Sequence, residues 1–208
     1  MALICAALLA GCLPADFGGG LQLGSDRAQA RGIRAVSVLD GGFRVRTPDG
    51  YCIDRQASNT GDGFVVMAGC ALVSNTDIMP DLAALITVQV GATGSAIVAG
   101  AETDLAAFVE SEGGKALLSQ TGDASEIDVR FVQSATNLVE VWFTDEGPDR
   151  FDGLEPMQGR AFLDVNGHLV TVNVRGYSRD PISRRQSARL LLLTVDALRA
   201  ANAGDNPA

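Results

Sequence analysis

Arg160-Ala161-Phe162-Leu163-Asp164-Val165, then Asn166-Gly167, then His168-Leu169-Val170-Thr171-Val172-Asn173-Val174 reads as two alternating strands joined by a two-residue turn. Asn-Gly adopts the paired positive-φ conformation of a type I′ turn, whose twist matches that of the flanking strands, so the segment closes as an antiparallel hairpin. Just upstream, residues 127–132 and 138–144 pair in the same way. Further towards the N-terminus, residues 33–39, the turn Asp40-Gly41-Gly42 and residues 43–47 form another strand, Gly turn and strand, which Pro48-Asp49-Gly50 ends. Residues 64–68 and 85–90 are apolar enough for buried strands, and a polar loop is expected from Arg55 to Gly63.

Two segments carry helical spacing instead. In the first, Thr103 is the expected N-cap, Asp104 lies in the first turn, Leu105, Phe108 and Val109 share a face, and Gly113-Gly114 is the expected stop. The second starts at Pro181 and runs to about Asn202, with Leu190, Leu191, Thr194, Ala197, Leu198 and Ala201 on one side and Arg185, Arg189, Asp196 and Arg199 on the other. Leu192 falls on the polar side. Strands outnumber helices, short connections join neighbouring strands, and each helix needs a sheet to cover. The expected fold is therefore α+β: an antiparallel sheet with two packed helices, formed by residues 33–202 as one domain and followed by a disordered tail at 203–208.

The 208 residues suffice for one domain with a substantial core, and 47% hydrophobic with 20% charged residues is a globular composition. The net charge of −9 argues against nucleic acid and against electrostatic adhesion to anionic lipid.

The N-terminus supplies the compartment. Leu9-Ala10-Gly11-Cys12 has the form of the lipobox cut by bacterial signal peptidases before a cysteine that takes diacylglycerol. The apolar run before it is far shorter than the ~20 residues needed to span a bilayer, so it reads as a signal h-region. Residues 1–11 are thus expected to be a lipoprotein signal peptide, Cys12 the lipidation site, and residues 12–32 a Gly- and Ala-rich tether with a reach of about 25 Å. Leu13 after the lipidated cysteine resembles the outer-membrane sorting pattern of many lipoproteins. With Cys5 removed and Cys12 acylated, Cys52 and Cys70 remain, and in an oxidising periplasm they are expected to form a disulfide worth ~3 kcal/mol. No Cys-x-x-Cys occurs and His168 is the only histidine, so neither a metal centre nor a redox pair is expected.

The stretch Gly42-Phe43-Arg44-Val45-Arg46-Thr47-Pro48-Asp49-Gly50-Tyr51, a central helix followed by paired hairpins, and a last helix closing on Ala200-Ala201-Asn202 together resemble a PsbP-like domain over residues 33–202. Gly50-Tyr51-Cys52-Ile53-Asp54 and Gly69-Cys70-Ala71 are similar to segments of secreted bacterial envelope proteins. The resemblance implies an α/β/α sandwich and a non-catalytic accessory or binding role, with no active-site residues to carry over.

Little in the chain points to catalysis. A Ser-His-Asp triad would have to use His168, which reads as an exposed or edge-strand residue, and no Gly-x-Ser-x-Gly elbow is present. The acidic run from Asp145 to Glu155 lacks EF-hand spacing and reads as a solvated loop rather than a calcium site. Arg175, Arg179, Arg184, Arg185 and Arg189 cluster in sequence around the start of the last helix and read as a solvated face. The expectation is a membrane-anchored periplasmic lipoprotein, at the outer rather than the inner membrane, that binds or assembles with an envelope protein partner and needs no cofactor. A small-ligand or metal-binding module and, behind it, a hydrolase are the alternatives.

Overall fold

In the computed structural model, which describes residues 32–149 and 151–204, Asn166 and Gly167 stand at φ 48° and 78°. They join β8 (Leu154–Val165) to β9 (His168–Tyr177) with Val165 directly opposite His168. The second hairpin, β6 (Ile127–Ala135) with β7 (Leu138–Asp145), pairs through β7 with β8. β3 (Tyr51–Asn59), β4 (Phe64–Gly69) and β5 (Ala84–Val90) extend the other side through β5 and β9. The result is a seven-stranded antiparallel sheet in the order β3-β4-β5-β9-β8-β7-β6. β1 (Ala35–Val38) and β2 (Phe43–Arg46) pair separately as a two-stranded ribbon.

Helices α1 (Cys70–Val73), α2 (Glu102–Glu110), α3 (Glu112–Leu118) and α4 (Arg184–Ala201) complete the domain, which is α+β. α4 lies on one face of the sheet. Its Leu190, Leu191, Val195 and Leu198 pack with Val170, Val172 and Val174 of β9, Ala161 and Leu163 of β8, and Phe43 and Val45 from the ribbon. Each of these leucine, valine and phenylalanine side chains contributes roughly 1.5–3 kcal/mol on burial, so this layer is the main source of stability. Ser183 and Gln186 form a capping box at the start of α4. At its end, Asn202 donates from Nδ2 to the Arg44 and Leu198 carbonyls at 2.8 Å each and accepts from Arg44 N–H, which fastens the helix to the ribbon. Trp142 also faces this side, its indole nitrogen filling the space where a side chain at Gly159 would lie.

On the opposite face α2 and α3 reach only the β6–β7 end. Val109 and Leu118 pack there against Ile127, Val141 and Phe143 in a second, smaller cluster. The rest of this face, on β5, β9 and part of β8, has no helix over it.

Several boundaries differ from expectation. The polar segment after Arg55 is strand up to Asn59: β3 is the last strand of the sheet, so its outer side can be polar. Asp54 marks a register irregularity, accepting the N–H groups of Gln56 and Ala57. The first helix begins at Glu102, which places Thr103 inside its first turn rather than at the cap. Gly113-Gly114 does not end helical structure. α2 stops at Glu110, Ser111 caps a new helix by accepting from Gly114 N–H at 3.2 Å, and α3 runs through both glycines. A Cβ on Gly114 would overlap the Phe108 carbonyl oxygen, so glycine permits the close corner between the two helices. The last helix is capped by Ser183, two residues beyond Pro181, and Leu192 is exposed as its sequence position implied. The signal peptide, Cys12, most of the tether and residues 205–208 of the tail lie outside the described residues.

Candidate functional site

The Asn166-Gly167 turn fixes which side chains meet on the uncovered face. Arg160 stands opposite Asn173, and Gln158 opposite Arg175. On the far side of β9, Thr87 is paired with Asn173 and Leu85 with Arg175. Because strand residues alternate between faces, Gln158, Arg160, Asn173 and Arg175 all point away from α4. They form the floor of a cavity of about 310 Å³, with Thr87 beside them. Phe64, Leu85, Leu117, Leu118 and Phe151 supply apolar walls, and Ser119 and Gln120 at the end of α3 close one side.

The floor holds polar atoms without partners among the described residues: Arg160 Nε, Gln158 Nε2 and Asn173 Oδ1 are all buried and unbonded. A buried donor or acceptor left unpaired costs about 1–3 kcal/mol, and native interiors carry few of them. Here three belong to residues that line one hollow. Arg160 stacks over Phe143, with Cζ 5.1 Å from the ring centroid. Burial, opposed by the charge of Asp145 and assisted by that of Arg175, lowers its guanidinium to about 10, so it stays cationic at neutral pH. Arg175 is already engaged. Its Nη2 lies 2.6 Å from Asp149, and its Nε and Nη2 donate to the Glu155 carbonyl at 3.0 and 2.7 Å. Burial works to raise the Asp149 carboxyl, but the hydrogen bond and charge of Arg175, with Phe151 N–H, overcome it and hold the pKa below the usual carboxylate value.

A wider hollow of about 720 Å³ beside Ile33, Asp54, Arg55 and Ser74 contains none of the unpaired buried atoms.

The residues singled out from sequence are dispersed. Cys52 and Cys70 are joined by a disulfide with Cα atoms 4.7 Å apart, which ties β3 to the start of α1. Cys12 lies outside the described residues. His168 is neither exposed nor on an edge strand. It is 3% exposed on β9, in the interior of the sheet, with Nδ1 2.8 Å from the Gly91 carbonyl oxygen and its ring edge-on to Phe43. Alternation puts it on the α4 face, so the sheet separates it from the cavity. The acidic run is only partly solvated, since Asp145 is buried and accepts from Gln120 and Gly147 N–H while Asp149 pairs with Arg175. Among the described residues, no cluster of three or more His, Cys, Asp or Glu is placed to hold a metal. The arginine group is split by the sheet: Arg175 belongs to the cavity, Arg184 sits over Phe131 at 4.8 Å, and Arg179, Arg185 and Arg189 are exposed.

No family model and no curated protein matches this chain. Among solved structures, it is similar to the Saccharomyces cerevisiae Ran-binding protein Mog1p, with TM-score 0.42 and 11% identity over 80% of this chain and 92% of that one. It is also similar to the extracellular domain of PknH from Mycobacterium tuberculosis, with TM-score 0.30 and 15% identity over 75% and 80% of the two chains.

Gln158, Arg160 and Asn173 are not apparent as site residues from sequence, although a signal for them exists. A two-residue turn between Val165 and His168 dictates that Arg160 faces Asn173 and Gln158 faces Arg175, placing four polar side chains together on one face of a hairpin. That the neighbouring strand and α3 wall them in has no local signature.

Proposed function

We propose that this chain is a lipid-anchored protein of the periplasmic side of a bacterial membrane, and that its domain binds a small molecule in the cavity on the uncovered sheet face without transforming it. One observation carries the binding reading: three buried polar atoms lack partners among the described residues, and the residues that carry them, Gln158, Arg160 and Asn173, all line one cavity. A domain gains nothing in stability from such an arrangement, whereas a ligand that pairs these atoms recovers the cost. Hydrolysis through His168 is disfavoured by its burial on the other side of the sheet. The anchor rests on Leu9-Ala10-Gly11-Cys12, with Leu13 favouring the outer membrane. Exposed Leu192 and Leu193 on the outer side of α4 favour contact with an envelope protein partner.

The anchor is tested by mass spectrometry of the N-terminus of protein recovered from membranes. Diacylated Cys12 is expected, with release from membranes on Cys12→Ser. Retention of that variant overturns it. Crosslinking at native expression level names the partner, and a reproducible absence of crosslinked envelope protein removes that part of the proposal. Binding is tested by native mass spectrometry of the full chain, where a bound small molecule is expected in the parent protein and missing from Arg160→Gln.

A further inference from the structure

The identity of the ligand can be narrowed from the atoms left unpaired, on the premise that the cavity is a binding site. Gln158 and Arg160 are two residues apart on β8 and so present their side chains to the same face about 6.6 Å apart at the backbone. Each offers an unpaired donor, Nε2 and Nε. Directly across from Arg160, Asn173 offers an unpaired acceptor, Oδ1. Gln158 is 3% exposed, so its amide cannot satisfy itself in bulk water.

The charges limit the choice further. Arg175 is neutralised by Asp149, and its Nε and Nη2 are engaged by the Glu155 carbonyl. Asp145 is near enough to influence Arg160, yet its oxygens are held by the N–H groups of Gln120 and Gly147, and Arg160 forms no ion pair among the described residues. The floor thus has room for one negative charge and not two, which disfavours a phosphate dianion. A guanidinium and an amide side by side match the two oxygens of a carboxylate, and an acceptor across the strand demands a donor close to it on the ligand. Phe64, Leu85, Leu117 and Phe151 form the apolar remainder of the wall. The volume of about 310 Å³ is at the lower end of the ~300–1,000 Å³ typical of small-molecule pockets and accommodates one compact unit.

We infer that the site takes a small α-amino or α-hydroxy carboxylate with an apolar side chain, its carboxylate on Arg160 and Gln158 and its α-donor on Asn173. Isothermal titration of the full chain in detergent tests this with four probes of nearly equal shape: L-leucine, 2-hydroxy-4-methylpentanoate, 4-methylpentanoate and L-leucinamide. The first two are expected to bind, 4-methylpentanoate at least about tenfold more weakly because it lacks the donor, and leucinamide without measurable heat because it lacks the carboxylate. Arg160→Gln should abolish binding of both acids. Asn173→Leu should reduce leucine and the hydroxy acid to the level of 4-methylpentanoate and leave the latter unchanged, a pattern that loss of folding cannot produce.

Leucinamide binding as tightly as leucine overturns the ligand class while leaving the cavity a binding site. The ligand class is equally overturned if none of the acids binds but native mass spectrometry shows another small molecule that Arg160→Gln loses. If neither probe nor resident molecule is found, the inference and the binding reading fall together.

Discussion

Val170, Val172 and Val174 of β9 are fully buried beneath α4, whereas the residues between and after them, Thr171, Asn173 and Arg175, turn to a face that α2 and α3 leave uncovered. One strand therefore serves two surfaces with opposite physics. The α4 face is mostly apolar and closed, with Glu140 Oε1 and Trp142 Nε1 as its unpaired buried polar atoms among the described residues, so most of its energy comes from removing hydrocarbon from water. The other keeps a cation, an amide and a carbonyl oxygen buried without partners, which costs folding energy. That contrast is the ordinary signature of a scaffold with a site on it: stability and recognition draw on different residues and are lost by different mutations.

The sharpest way to break this comparison is to truncate one residue on each side. Leu191→Ala, at a fully buried position of α4, is expected to cost about 2–5 kcal/mol in urea unfolding. Leu117→Ala on the cavity wall, where the leucine is 72% exposed, should stay within about 0.5 kcal/mol. Equal costs would show that the open face is also part of the stabilising core. The disulfide offers a test away from both faces. Replacing Cys52 and Cys70 together by alanine should remove about 3 kcal/mol, and an unchanged urea midpoint would mean that the bond is not formed in the purified protein.

A third substitution should move stability the other way. Arg160→Met removes a buried cation that has no ion pair among the described residues and keeps apolar contact with Phe143, so a gain of about 1 kcal/mol is expected together with loss of ligand binding. Thermal unfolding reads the first effect and calorimetry the second. Destabilisation by Arg160→Met would mean that the guanidinium is structurally satisfied and that the cavity floor is not held open for a ligand.

Much of the closed face was legible in the sequence, because alternation in strands and 3.6-residue spacing in α4 are local records of burial. Leu190, Leu191 and Leu198 could be assigned from spacing alone. Gly113-Gly114 misled for a physical reason: helix propensity penalises glycine, but contact at the α2–α3 corner excludes any side chain at Gly114. His168 misled because a polar residue next to a turn suggests exposure, whereas a single hydrogen bond to Gly91 and an aromatic neighbour are enough to bury it. The cavity was half legible. Its floor follows from the register of one hairpin, but its walls come from Phe64, Leu85 and Leu117 on elements distant in sequence, and no local pattern records that they meet.

The smallest expected effects are in pH, and they again separate the faces. Glu140 lies on β7 between Leu138 and Trp142, buried with one oxygen unpaired; burial raises its pKa and a hydrogen bond from Gln133 offsets this only in part. A carboxyl whose folded pKa lies above its unfolded value carries no penalty when protonated in both states, so stability is highest below the unfolded value and falls as pH rises through the folded one. Asp149, on the cavity side, has the opposite sign: its lowered pKa gives stability above the unfolded value that is lost as pH falls through the folded one. Glu140→Gln should therefore raise stability at neutral pH by about 1 kcal/mol and change little in acid. Asp149→Asn should lower it at neutral pH by under about 1 kcal/mol and converge with the parent in acid, since this pair is partly exposed. Urea midpoints from acid to neutral pH measure both slopes. If the two variants diverge from the parent in the same direction as pH rises, the division of labour between the faces does not extend to their carboxylates.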